Sequence, residues 1–187
     1  MYTMTRDVKL TYDDLLRLPD DGLRHELIDG VHHVTASPYL RHQRILSRLH
    51  LAIGGWLEDH PFGEVYFAPV DVVLSPFDVV VPDLLYMSHA RASALSGPNA
   101  VHGMPELLIE VLSPSTRRRD LGAKRSLYER EGVSEYWVVD PPRDAIRVYR
   151  REDEARFVAR TLSVACGDVL CTPLLPGLTI ALPDIFR

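Results

Sequence analysis

Two short apolar runs near the middle of the chain each carry an acid. Val79-Val80-Val81-Pro82-Asp83-Leu84-Leu85-Tyr86 and Glu106-Leu107-Leu108-Ile109-Glu110-Val111-Leu112-Ser113 are rich in branched apolar residues, and each reads as a buried strand. Elsewhere the hydrophobic period changes to that of a helix. Leu46, Leu49, Ile53, Trp56 and Leu57 form one stripe, which predicts a long helix from Ser37-Pro38 to about Asp59. A second helix is predicted from about Arg118 to Glu131, with Gly132 as its stop. Short helices are expected after Thr11, whose hydroxyl suits a first turn, and from Ser88 to Leu95.

Alternation marks the remaining elements. Asp29-Gly30 between apolar segments predicts an N-terminal hairpin. Glu64 to Pro69, Val70 to Ser75, Ser134 to Asp140 and Leu178 to Leu182 read as strands, and Ala145 to Arg150 with Arg156 to Val164 as a C-terminal hairpin. Ser96 to Pro105 reads as loop. Strands and helices so mixed predict an α/β (α+β) fold in one domain, 1–187, with a central mixed β-sheet flanked by helices.

Composition narrows the function classes. The 187 residues are 46% hydrophobic and 25% charged, as in a globular domain. No apolar stretch is as long as a membrane span, and Met1 to Asp7 has no signal-peptide core, so the expected location is the cytoplasm. With 26 acids against 21 bases, the net charge of −5 excludes a generally basic nucleic-acid coat but not a local basic groove. Cys166 and Cys171 complete no zinc motif and read as small buried residues.

A carboxylate inside an apolar strand is costly unless something stabilises its charge. If the Asp83 and Glu110 strands pair, their carboxylates converge on one divalent cation. Mg²⁺ and Mn²⁺ take oxygen ligands, and the backbone carbonyl of Val111 could add one. Such an ion promotes attack on a phosphodiester. Lys124, on the following helix, is placed to stabilise the developing charge, and Asp120 one turn earlier could hold it. The blander reading of Asp120 and Lys124 is an exposed ion pair. Glu26 shares a strand face with Ile28 and is expected to point inward. Asp71 is expected on a strand beside Asp83. His42 lies near the apolar stripe and reads as a buried, satisfied histidine, and the adjacent His32 and His33 as structural. Arg117-Arg118-Arg119 is the best local run for phosphate contact.

Taken together, Pro82-Asp83, Glu110 to Thr116, Asp120, Lys124 and Gly132 to Pro141 resemble the Uma-two family of bacterial proteins, assigned to the restriction-endonuclease-like, PD-(D/E)XK superfamily. His25 to Gly30, and Ser37-Pro38 with His42, fit the same pattern. The resemblance implies a restriction-endonuclease-like core and a metal-dependent endonuclease acting on DNA, with Mg²⁺ or Mn²⁺ held by Asp83 and Glu110. It departs from the superfamily at Leu112, where a lysine is expected, and Lys124 resembles a migrated replacement. Glu26 and Asp71 match acidic positions of the family and would support the site. The competing expectation is an inactive module that keeps the fold to bind a partner or nucleic acid. A homodimer is also expected, from apolar surface on Arg156 to Val164 and at Leu174-Leu175.

Overall fold

The computed structural model describes residues 8–35, 39–152 and 156–187. Its first turn is a capping box. The Thr11 side chain accepts from the Asp14 amide while the Asp14 carboxylate accepts from the Thr11 amide, which starts α1 (Tyr12–Leu15). Strands β1 (Arg24–Ile28) and β2 (Val31–Thr35) pair antiparallel across Asp29 and Gly30, at φ 53° and 74°. Both lie in the left-handed region that a two-residue hairpin turn demands, as the Asp-Gly pair predicts.

Helix α2 (Leu40–Asp59) buries Ile45, Leu46, Leu49, Ile53 and Leu57, so the predicted stripe is core. Ser37 and Pro38 lie outside the described residues, and the N-cap position falls to Tyr39, which makes no side-chain capping bond. Then follow β3 (Gly63–Phe67), β4 (Asp71–Ser75), β5 (Asp78–Val80), β6 (Leu84–Ser88), α3 (His89–Leu95) and β7 (Ala100–His102). The last is a short strand in a stretch expected to be loop. Next is β8 (Leu107–Val111), then one helical run made of α4 (Arg117–Arg119), a π-helical turn (Asp120–Lys124) and α5 (Arg125–Arg130). Gly132 at φ 86° ends it, and the Val133 amide donates to the Tyr128 carbonyl at 3.0 Å, the stop predicted from sequence. Strands β9 (Glu135–Asp140), β10 (Ala145–Arg151), β11 (Phe157–Ser163), β12 (Val169–Cys171) and β13 (Thr179–Ala181) lead to α6 (Leu182–Phe186).

The sheet architecture is mixed, but it is divided. A six-stranded sheet runs β11-β10-β9-β8-β6-β3, parallel only at β8–β9, and a five-stranded sheet runs β2-β1-β5-β4-β7. Strands β12 and β13 form a separate pair. The run expected as one strand from Val79 to Tyr86 is broken at Val81-Pro82-Asp83. Pro82 has no amide hydrogen for a ladder, and the chain there leaves one sheet and enters the other. Asp83 therefore sits at the crossing, not on a strand. Asp71 starts β4, whose neighbours are β5 and β7. The expectation that it faces Asp83 across adjacent strands fails for that reason.

Alternation along β8 sorts its side chains to two cores. Leu107, Ile109 and Val111 join Leu84, Tyr86, Trp137 and the α2 stripe. Leu108 points the other way, with Leu85, Leu127, Tyr128, Tyr136 and Val80 of the second sheet. Leu162 and Leu175 are buried in the α2 core and Leu174 packs against it. Of the apolar residues from which a homodimer was expected, these three serve the interior, while Val158 on the same hairpin is 48% exposed. The cysteines are free and exposed, contrary to the buried reading.

Candidate active site

Register brings the two central acids together. In the β6–β8 ladder Leu85 faces Leu108 and Leu84 faces Ile109. Carried one residue past its last pair, that register puts Asp83 opposite Glu110, on the Leu108 face. The Val111 amide donates to Asp83 Oδ2 at 2.9 Å, fixing the approach. That face is the one covered by the 117–130 helical run, so Lys124 and Tyr128 reach Glu110 Oε1 at 2.6 and 3.2 Å.

Lys124 is also 2.6 Å from Glu26 Oε1. Glu26 comes from the other sheet, where alternation in β1 turns it inward, and its Oε1 accepts from the Val81 amide at 2.8 Å. Its second oxygen lies 3.0 Å from Arg119. Asp120, Lys124, Glu26, Asp83 and Glu110 are all at most 4% exposed, which rules out a solvated Asp120–Lys124 pair. The π turn widens the helix over the residues that carry these two groups, a distortion common at functional sites. Among the described residues, buried Asp120 Oδ1 and Arg119 Nε have no hydrogen-bond partner and stand 4.0 Å apart.

Asp83 carries three donors. Oδ2 takes His42 Nε2 at 3.0 Å and the Val111 amide, while Oδ1 takes Arg24 at 2.7 Å. Burial alone would raise its pKa. The hydrogen bond and charge of His42, with Arg24 and the Val111 amide, outweigh burial and bring it down to about 2. Glu110 moves oppositely: burial raises it well above the usual carboxylate range against the pull of Lys124, and Asp120, Asp83 and Glu26 add to the rise. Burial opposes the charge on Lys124, but Glu110, Glu26 and Asp120 hold its ammonium firmly protonated. Asp120 is also raised, first by burial.

Asp83, Glu110 and Lys124 line a cavity of about 230 Å³ with Tyr39, Ser113 and Thr116. The structure brings Glu26, His42, Asp83, Glu110, Val111, Arg119 and Lys124 to it. Asp120 lies behind Lys124. Asp71 does not line it: it accepts from Tyr12 Oη at 3.2 Å, and burial raises its pKa. Arg117 also lies outside, its two nitrogens on the Asp140 oxygens at 3.1 and 2.8 Å. Arg118 is exposed. Arg24 was missed. Its only signal in the sequence is its position two residues before Glu26, on the same face of a strand.

The donor set suits a hard divalent cation. Glu110 Oε2 has no hydrogen bond among the described residues, and Asp83 Oδ1 has a single, partly exposed donor. Two carboxylate oxygens with waters are a typical Mg²⁺ set. Among the described residues no group of three or more His, Cys, Asp or Glu stands ready to hold a metal.

A family model named Uma2 and described as "Putative restriction endonuclease" matches residues 12–183. Among solved structures, the chain is similar to one described as a "putative nuclease belonging to DUF820" from Anabaena variabilis. The TM-score is 0.79 and the identity 19%, over 95% of this chain and 97% of that one, a likeness of fold. No curated protein matches the chain.

Proposed function

The chain belongs to the Uma2 family, and from that premise we propose that it is a metal-dependent endonuclease that hydrolyses phosphodiester bonds of DNA. One observation carries the reading: Asp83 and Glu110 meet in one cavity with the Lys124 ammonium 2.6 Å from Glu110. Asp83 Oδ1 and Glu110 Oε2 are the atoms that would hold Mg²⁺ or Mn²⁺, with the Val111 carbonyl as a further candidate. When bound, the ion supplies Lewis-acid stabilisation of charge on the phosphate.

The chain's own residues divide the remaining work. Lys124 stays protonated, so it serves as fixed positive charge near the scissile phosphate rather than as a base. Glu26 and Asp120 hold that ammonium in place. His42 and the Val111 amide orient Asp83. Arg119 lines the cavity and Arg118, its neighbour in the chain, is exposed, and these two are the proposed phosphate contacts. Arg117 is committed to Asp140 and holds the turn. Asp71 is left outside the mechanism. We place the protein in the cytoplasm with its DNA. No helix among the described residues is long and apolar enough to cross a membrane.

A second reading, an inactive module that binds nucleic acid or a partner, is favoured by the neutralised state of the site. Arg24 already covers Asp83 and Lys124 already covers Glu110. Nicking of supercoiled plasmid in Mg²⁺ or Mn²⁺, with chelator as control, separates the two. Nuclease action predicts metal-dependent nicking that disappears in folded Asp83→Asn and Glu110→Gln proteins. Full activity in both variants refutes the site, and no activity in the wild type supports the module.

A further inference from the structure

The side chain that holds Asp83 Oδ1 is a cation that the mechanism above does not use. Arg24 lies 2.7 Å from Asp83 Oδ1 with 22% of its side chain exposed, whereas Asp83 itself is 4% exposed. The other two donors, His42 and the Val111 amide, both serve Oδ2 and are buried. A divalent cation that bridges Asp83 and Glu110 therefore needs the oxygen that Arg24 occupies. Arg24 also has room to leave. It stands on the wall between the 230 Å³ cavity and a neighbouring hollow of about 400 Å³, and it lines both.

The geometry points to Arg24 as an exchangeable cation that stands in for the metal on Asp83 and, once displaced, binds the phosphate of the incoming strand. The inference rests on the proposed metal site. Its physical basis is charge balance. Four buried acids, Glu26, Asp83, Glu110 and Asp120, face three permanent cations, Arg24, Arg119 and Lys124. Adding a divalent ion leaves an excess of positive charge, and the least buried cation is the one that moves outward. The guanidinium keeps its planar fork of donors, now at the mouth of the cavity, where an anionic phosphodiester enters. Metal and strand then bind with positive coupling, and the coupling is reciprocal.

Mn²⁺ binding measured by calorimetry, without any cleavage, tests this. Folding of each variant is checked by circular dichroism. In Arg24→Gln the competing charge is gone, and Mn²⁺ binds about tenfold tighter than to the wild type, a factor equivalent to ~1.4 kcal/mol. Arg24→Lys keeps a competing charge and stays close to the wild type. A short fluorescent DNA strand with phosphorothioate linkages, followed by anisotropy, reads the second half. Mn²⁺ tightens its binding to the wild type, and Arg24→Gln loses that enhancement. Unchanged or weaker Mn²⁺ binding by Arg24→Gln overturns the inference, as does coupling that survives the substitution. Asp83→Asn distinguishes the two levels. If it binds Mn²⁺ as tightly as the wild type, the ion lies elsewhere and the proposed site falls too. If it loses the ion while Arg24→Gln gains nothing, only the role of Arg24 falls.

Discussion

Replacing Lys124 by methionine keeps the length of the side chain and removes its charge. Its ammonium is fully buried and 2.6 Å from both Glu26 and Glu110, with Asp120 close enough to raise its pKa. Without it these acids, each at most 4% exposed, lose a shared counterion. Removing one partner of a buried pair generally costs ~3–5 kcal/mol. A second route gives a similar figure. The acids can escape by taking up a proton, and neutralising a glutamate of ordinary pKa 4.5 at pH 7 costs ~3.4 kcal/mol, at ~1.36 kcal/mol per unit. Glu110 is already raised, so the lower end is expected, ~3 kcal/mol, or ~6–12 °C in melting temperature for a chain of this size. Urea unfolding followed by circular dichroism measures it. The pH dependence is the sharper signature. The folded variant holds a proton that the unfolded chain releases, so its stability falls as pH rises. The deficit relative to the wild type should shrink from pH 7 towards pH 5. Lys124→Met with Glu110→Gln removes one of the acids as well and should recover part of the loss. A deficit below ~1 kcal/mol at pH 7, or one independent of pH, refutes the view of Lys124 as the counterion of this cluster.

Asp83 yields an acid-limb test. Its folded pKa is brought down from an ordinary 3.8 to about 2, so its contribution is present above pH 3.8 and is lost as pH falls through about 2. The shift is worth ~2 kcal/mol, and Asp83→Asn should flatten the stability profile over that window in unfolding titrations. Gly132→Ala meets no atom within 4 Å but must adopt φ 86°, so backbone strain alone should cost ~1–2 kcal/mol, seen as a lower urea midpoint. Leu175→Ala removes a fully buried side chain from the α2 core and should cost ~2–5 kcal/mol. The sedimentation coefficient should not change, because that residue serves the interior and not a contact between copies.

The sequence made some of this legible because local chemistry decided it. Asp29-Gly30 announces its turn, since few other pairs accept two left-handed residues in succession. Glu110 announces itself because a charge in Leu-Leu-Ile-Glu-Val requires a partner, and it has Lys124. What stayed hidden depends on long-range pairing. Val79 to Tyr86 reads as continuous by period, yet Pro82 divides it between two sheets. Asp71 lies nearer to Asp83 in the sequence than Glu110 does, but β4 pairs away from it. Nothing local marks a π turn, and helical spacing predicts an ordinary helix at Asp120 to Lys124. Arg24 is nearly hidden for a similar reason, because its contact with Asp83 is set by the register between β1 and a bend 59 residues away.

The bend at Pro82-Asp83 has a consequence for how such a chain can change over generations. Asp83 ties the crossing to β8 through the Val111 amide, and Glu26 ties it to β1 through the Val81 amide. The same carboxylates that would run the reaction are therefore the rivets of the joint. A descendant that gave up cutting could not shed one acid at a time without loosening its frame. It would have to retire acids and their cations in matched sets, and a genome should show their disappearance as grouped replacements.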